Sequence, residues 1–161
     1  MRISARTDYA IRVLVELAAD TSRPLTCEGI ASSQQIPYRF LKAVVRDLRQ
    51  SGLVRSQRGC EGGYWLGRPA ESISLADVVA AVDGELLTVN GETPEAVVYP
   101  EPAQRIDRLW RGLRTRVGEL FAGISVADLA AEAPGEAARS LFAAPRDDRE
   151  NLDGTKVKVG V

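Results

Sequence analysis

The sequence predicts a mainly α-helical chain that carries one small β-hairpin, and three observations predict it. Three amphipathic or capped segments follow one another within the first fifty or so residues. A glycine-rich turn then joins two short strand-like stretches, and a long segment with heptad spacing lies beyond residue 102.

Between Ala5 and Ala19 the apolar residues Ala10, Val13, Leu14, Leu17 and Ala18 recur at helical spacing, while Asp8, Arg12, Glu16 and Asp20 take other faces. Thr26 suits the N-cap of a short second helix, Cys27 to Gln34, with Glu28 in its positive first turn and a thin apolar stripe of Leu25, Ile30 and Ala31. Pro37 fits the first position of a third helix, which runs until Gly52 offers a left-handed cap. On that helix Leu41, Val44, Val45 and Leu48 share one side, and Arg39, Lys42, Arg46 and Arg49 gather on another, with Asp47 the only acid. Charge of one sign on one face wants an anion, although a solvated stripe is the plain alternative.

Leu53 to Gln57 and Tyr64 to Leu66 read as two strands around the turn RGCEGG. Two helices, a short turn between them and a hairpin directly after the second are the order of a winged helix-turn-helix, whose third helix enters the major groove. Gly59, Gly62 and Gly63 then allow backbone to approach the sugar-phosphate edge, and Arg58 reaches an adjacent minor groove. By themselves the glycines do no more than turn a chain.

Ser74 and Asp77 cap a further helix that ends near Gly84. Residues 85–102, with three prolines and four glutamates, form an irregular excursion. After it, Ile106, Trp110, Leu113, Val117 and Leu120 make a heptad seam on a long helix, expected to be a dimerisation face, with packing along its own domain the alternative. Ser125 and Asp128 cap a short helix expected to fold back on the long one. From Pro134 onward a mobile tail is expected, with a helical piece around Ala137 to Phe142. The predicted organisation is therefore a winged helix-turn-helix domain at 1–84, a variable loop at 85–102, a dimerisation helix with its short follower at 103–133, and a flexible tail at 134–161.

Composition bounds what such a chain does. Its 161 residues, 45% hydrophobic, suffice for the core of one domain with an appendage. The net charge of −1 hides an asymmetry: 11 Lys+Arg stand against 6 Asp+Glu in residues 1–70, and 10 against 16 in the remainder. A basic front segment on an acidic remainder suits a nucleic-acid-contacting module with a separate partner-facing region. Two distant cysteines exclude a disulfide framework and place the chain in a reducing cytoplasm. The most apolar N-terminal run carries Arg12 and Glu16, so no membrane partner is expected. With no histidine, no HExxH and no phosphate-binding glycine motif, no catalytic residue is assigned and an enzyme is not expected.

At this point the residues carry a family likeness. DYAIRVLVELA, TCEGIASSQQIPYRFLKAVVRDLRQSGLV and RGCEGGYWLGRPAESISLADVVAAVDG, followed by the long helix after a variable loop, resemble the Rrf-type bacterial transcription regulators over residues 1 to about 132. The resemblance implies a homodimer of winged helices that binds double-stranded DNA at a near-palindromic operator and usually represses. It implies base reading by Tyr38, Arg39 and Lys42, with Arg46 on the same cationic face, and minor-groove entry by Arg58. Tyr9 either donates to a phosphate or packs against the hairpin.

Several members of that family hold an iron-sulfur cluster through three cysteines in the loop before the dimer helix; here residues 85–102 contain none, so no cluster, cofactor or metal is expected. Cys60, two residues past Arg58, is a candidate redox switch, against which the neighbouring Glu61 disfavours its thiolate. A small-molecule effector under the variable loop, near Tyr99 and Trp110, or a metabolic enzyme bound as corepressor, are the further partners considered. The competing function is a winged-helix adaptor for protein with weak intrinsic DNA specificity.

Overall fold

Helix α1, Ala5–Ala19, starts where Ser4 accepts a hydrogen bond from the Thr7 amide at 3.0 Å, and it buries Thr7, Ala10, Val13, Leu14 and Leu17. The computed structural model describes residues 3–59 and 62–143. Within them α1 is the spine on which the N-terminal domain assembles, in contact with α3, α4, β2 and α6.

Helix α2 spans Cys27–Ser33 under a Thr26 cap, and α3 spans Tyr38–Gln50. Pro37 is the N-cap of α3 and not its first helical residue, because its ψ of 124° is extended even though its ring sets a helical φ of −58°. At the other end Gly52 adopts φ +75°; its amide donates to the Arg49 carbonyl at 3.1 Å and the Leu53 amide to the Leu48 carbonyl at 2.9 Å. This paired closure consumes two carbonyls that the helix end leaves free, and it turns the chain straight into the hairpin.

Strands β1, Val54–Gln57, and β2, Gly63–Leu66, pair antiparallel with Val54 opposite Leu66 and Gln57 opposite Gly63. A third segment joins them, since Leu25 and Tyr64 exchange amide-to-carbonyl bonds of 3.0 and 2.8 Å. Here Gly63 is required: a Cβ at that position would stand 2.7 Å from the Leu25 carbonyl oxygen. The glycines of the turn thus serve the wing's own packing before any approach to DNA.

A 3-10 turn, Ala70–Ser72, leads to α4, Leu75–Val82, which opens with the predicted capping box of Ser74 and Asp77 and buries Leu75, Val78, Val79 and Val82. At its C-cap, Asp83 accepts from the hydroxyls of Ser4 and Thr7, the latter at 2.7 Å, and so satisfies Thr7, the one buried polar side chain among the described residues.

Residues 85–102 have no long element, but Asn90 and Gly91, at φ 56° and 89°, make a tight turn closed by reciprocal bonds between Val89 and Glu92. The excursion is fastened to α5, Arg105–Ala122, at two places. Arg114 holds Glu85 and Glu95, each at 3.0 Å, and the Trp110 indole donates to the Tyr99 hydroxyl at 3.1 Å.

Helix α6, Val126–Ala130, corrects one expectation. It carries its Ser125–Asp128 capping box, yet packs mainly on α1 and the 3-10 turn, where Val126 is fully buried in the main core. The cause is non-local: the Leu75 amide donates to the Ile124 carbonyl at 2.9 Å and the Val126 amide to the Ile73 carbonyl at 2.8 Å, so the segments preceding α4 and α6 pair across Ser74 and Ser125. Helix α7, Glu136–Phe142, realises the helical piece expected at the start of the tail; Ala138 is buried beside Leu75 and Ile124. Residues 144–161 lie outside the described residues.

Candidate nucleic-acid interface

The site begins with the two-sidedness of α3. Leu41, Val44, Val45 and Leu48 are sealed in the core, at about 1.5–3 kcal/mol each for full burial of such side chains, and this fixes the rotation of the helix. Arg39, Lys42, Arg46 and Arg49 consequently line one groove of about 480 Å³, closed on the wing side by Tyr64. Periodicity marks Arg49 as part of the cationic ridge, although it was not among the predicted contacts; Tyr64 is there because the Leu25 pairing draws β2 towards α3.

The acid on this helix does not neutralise the groove. Asp47 turns to α1, where Arg6 reaches its Oδ2 at 2.5 Å, and only Arg46 of the ridge approaches it, at 3.4 Å. Arg39, Lys42 and Arg49 form no ion pair among the described residues. Three uncompensated cations on one face leave a site for polyanion oxygens.

Tyr38 is exposed at the start of α3 and donates its hydroxyl to Glu28 at 2.7 Å, while the Lys42 ammonium lies 5.6 Å from its ring centroid. That hydrogen bond, more than any other influence, holds the Glu28 carboxyl below the ordinary range and raises the Tyr38 phenol. Glu28 was predicted only as a helix-start charge; its spatial partner ten residues on has no signature in the sequence. Arg39 lies over the Phe40 ring at 5.0 Å.

The remaining predicted contacts stand apart from the groove. Tyr9 is half-buried and lines a second cavity with Phe40 and Ala43 of α3. Arg58 is exposed on the wing just past β1. Cys60 lies outside the described residues. Cys27 is buried, and burial raises its thiol pKa, as befits a small residue packed in the core.

The seam residues of α5 divide. No residue of α5 is fully buried; Ile106 keeps 37% of its surface exposed and neighbouring Leu109 60%. Trp110 and Leu113 border the excursion at Leu86 and Leu87, and Leu120 packs within the chain on the cluster of Leu75, Ile124 and Ala138. Val117 is half-covered.

A basic recognition helix, a β-wing at its back and the long helix α5 with its open apolar stripe define a winged helix-turn-helix DNA-binding transcriptional regulator. Residues 3–132 match the profile of the Rrf2 family, described as an iron-dependent transcriptional regulator, and the chain belongs to that family. It is 38% identical over 131 residues to the Mycobacterium tuberculosis HTH-type regulator Rv1287, covering 81% of each chain. It is 32% identical over 143 residues to CymR of Bacillus subtilis, covering 88% of this chain and 99% of CymR. The solved structure of that CymR, described as a global cysteine regulator, superposes with a TM-score of 0.69 over 81% of this chain and 96% of its own. IscR of T. potens shares the fold, with a TM-score of 0.65, 24% identity and coverage of 80% and 85%. Both of the sequence relatives are described as HTH-type transcriptional regulators.

The family description names iron, and among the described residues the donors do not gather into an ordinary iron or iron-sulfur ligand set. The chain has two cysteines and no histidine, residues 85–102 have neither, and among the described residues no three His, Cys, Asp or Glu side chains gather as a metal would need. Among those residues, too, no helix is long and apolar enough to cross a membrane.

Proposed function

We propose that this protein works in the cytoplasm as a homodimer, binds a near-palindromic operator and represses transcription there, without an iron-sulfur cluster or other cofactor. The groove on α3 carries the reading: four cations line it and the helix's one carboxylate points away. Lys42, Arg46 and Arg49 neutralise phosphates and release counterions, while Arg39 and the edge of Tyr38 address bases in the major groove. Arg58 enters the neighbouring minor groove from the wing, and Tyr9 flanks the backbone path. The two copies meet along α5 through Ile106, Trp110, Leu113 and Val117, with Leu109 completing the stripe; the exposure of Ile106 and Leu109 supports this.

Selection of bound fragments from genomic DNA, followed by footprinting and solution scattering, tests the proposal. The expected result is a protected two-half-site sequence and the mass of a dimer. A monomer, or footprints with no sequence preference, refutes it. Iron and acid-labile sulfide in stoichiometric amounts would refute the cofactor-free form.

A further inference from the structure

The solvent face of α3 is not purely cationic. Phe40 leaves 49% of its surface exposed. It lies beside Ala43, and together with Tyr9 of α1 and Val44 they line a mostly apolar cavity of about 380 Å³, which Arg46 and the Arg6–Asp47 ion pair also border. The Arg39 guanidinium rests on the Phe40 ring at 5.0 Å. Ala43 stands one helical turn from Arg39 on one side and from Arg46 on the other. An apolar hollow therefore opens at the edge of the DNA-facing ridge, with Arg46 in its lining and Arg39 stacked on its Phe40 ring.

The major-groove edge of a base pair offers donors, acceptors and one apolar group, the 5-methyl of thymine. An exposed phenyl and an alanine methyl have no hydrogen bond to give, so the base group they complement is that methyl. The flanking arginines supply the charge complementarity that brings the duplex to the hollow. We propose that α3 reads a thymine in each half-operator by its 5-methyl group, with Phe40 and Ala43 forming the receiving surface next to the base addressed by Arg39. The inference rests on the DNA-reading function above and adds to it the identity of one base and of the residues that choose it.

The test uses the full chain and duplexes enriched by it from a random-sequence pool. Each thymine of the enriched site is replaced singly by uracil, which keeps every hydrogen-bonding group and deletes only the methyl. One thymine per half-site is expected to show a loss of about fourfold in affinity, the worth of one buried methyl-sized group. In Phe40→Ala the same replacement is expected to be silent, and in Phe40→Leu, which keeps an apolar surface and guards against a folding defect, to retain part of the penalty. An enriched duplex in which no uracil weakens binding overturns the inference and leaves the DNA reading standing, as does a full penalty retained in both Phe40 variants. Failure to enrich any sequence overturns the DNA reading itself, and the inference with it.

Discussion

The Tyr38 hydroxyl and the Glu28 carboxylate, 2.7 Å apart, join the first turn of α3 to the first turn of α2. The bond keeps Glu28 ionised to lower pH than an ordinary glutamate, so at neutral pH a negative charge stands beside the cationic groove. Such a charge repels the phosphates that the groove attracts. Glu28→Gln is therefore expected to tighten DNA binding by a few-fold near 0.05 M salt and to lose about half of that gain near 0.2 M, as the screening length shortens. Fluorescence titrations at the two ionic strengths check it; equal affinity of variant and parent at low salt would show that Glu28 lies off the DNA path.

The ridge makes a second, quantitative claim. Neither Lys42 nor Arg49 forms an ion pair among the described residues, so replacing either by Ala should lower the slope of log affinity against log salt by about 0.9. Arg6 differs, because Asp47 already holds it at 2.5 Å, and Arg6→Ala should leave the slope nearly as it was. Arg39→Ala should instead cost about 1–3 kcal/mol on the selected site and less on random DNA, the mark of a base contact. A parental slope in Arg49→Ala would remove the groove from the phosphate track.

Wing geometry depends on a missing side chain. Gly63→Ala would place a methyl 2.7 Å from the Leu25 carbonyl oxygen, inside contact distance, and only separation of the Leu25–Tyr64 pairing relieves it. The expected cost is about 1–3 kcal/mol of stability, by analogy with overpacking, seen as a lower thermal midpoint. Because Tyr64 also closes the groove, DNA affinity should fall below what the loss of folded fraction explains. Unchanged melting would mean that the wing shifts freely at this point.

What the sequence made legible was local. The stripe Ala10, Val13, Leu14, Leu17 gave α1, and the S-x-x-D spacing gave the starts of α4 and α6, because caps and stripes join residues three or four apart. The cationic face of α3 was legible for the same reason. Pairings between Leu25 and Tyr64, or Ser74 and Ser125, join residues 39 and 51 positions apart, which no period encodes, and they are what put Tyr64 at the groove and α6 on α1. The cavity that Tyr9 shares with Phe40 and Ala43 was hidden for the same reason, because those residues come from another helix. The Asn90-Gly91 turn was different, since the dipeptide is itself a turn signal inside a stretch read as irregular.

The capping box of α6 yields a prediction in pH. Asp128 accepts from the Ser125 amide at 2.8 Å, the Ser125 hydroxyl at 2.7 Å and the Gly135 amide at 2.6 Å. These bonds to the charged form, the Ser125 amide foremost, hold its pKa below the ordinary aspartate value. A carboxyl depressed in the folded state stabilises the fold fully above its unfolded pKa, near 3.9, and loses that contribution as pH falls through the lower folded value. Asp128→Asn should therefore lower the thermal midpoint at pH 7, where the charge acts, while the gap between variant and parent closes as pH drops below about 4. Ser125→Ala removes the cap oxygen and should cost about 1 kcal/mol at neutral pH. Since α6 is seated on α1, both losses should appear in the global unfolding transition; a separate early transition of the C-terminal part would show instead that α6 melts on its own.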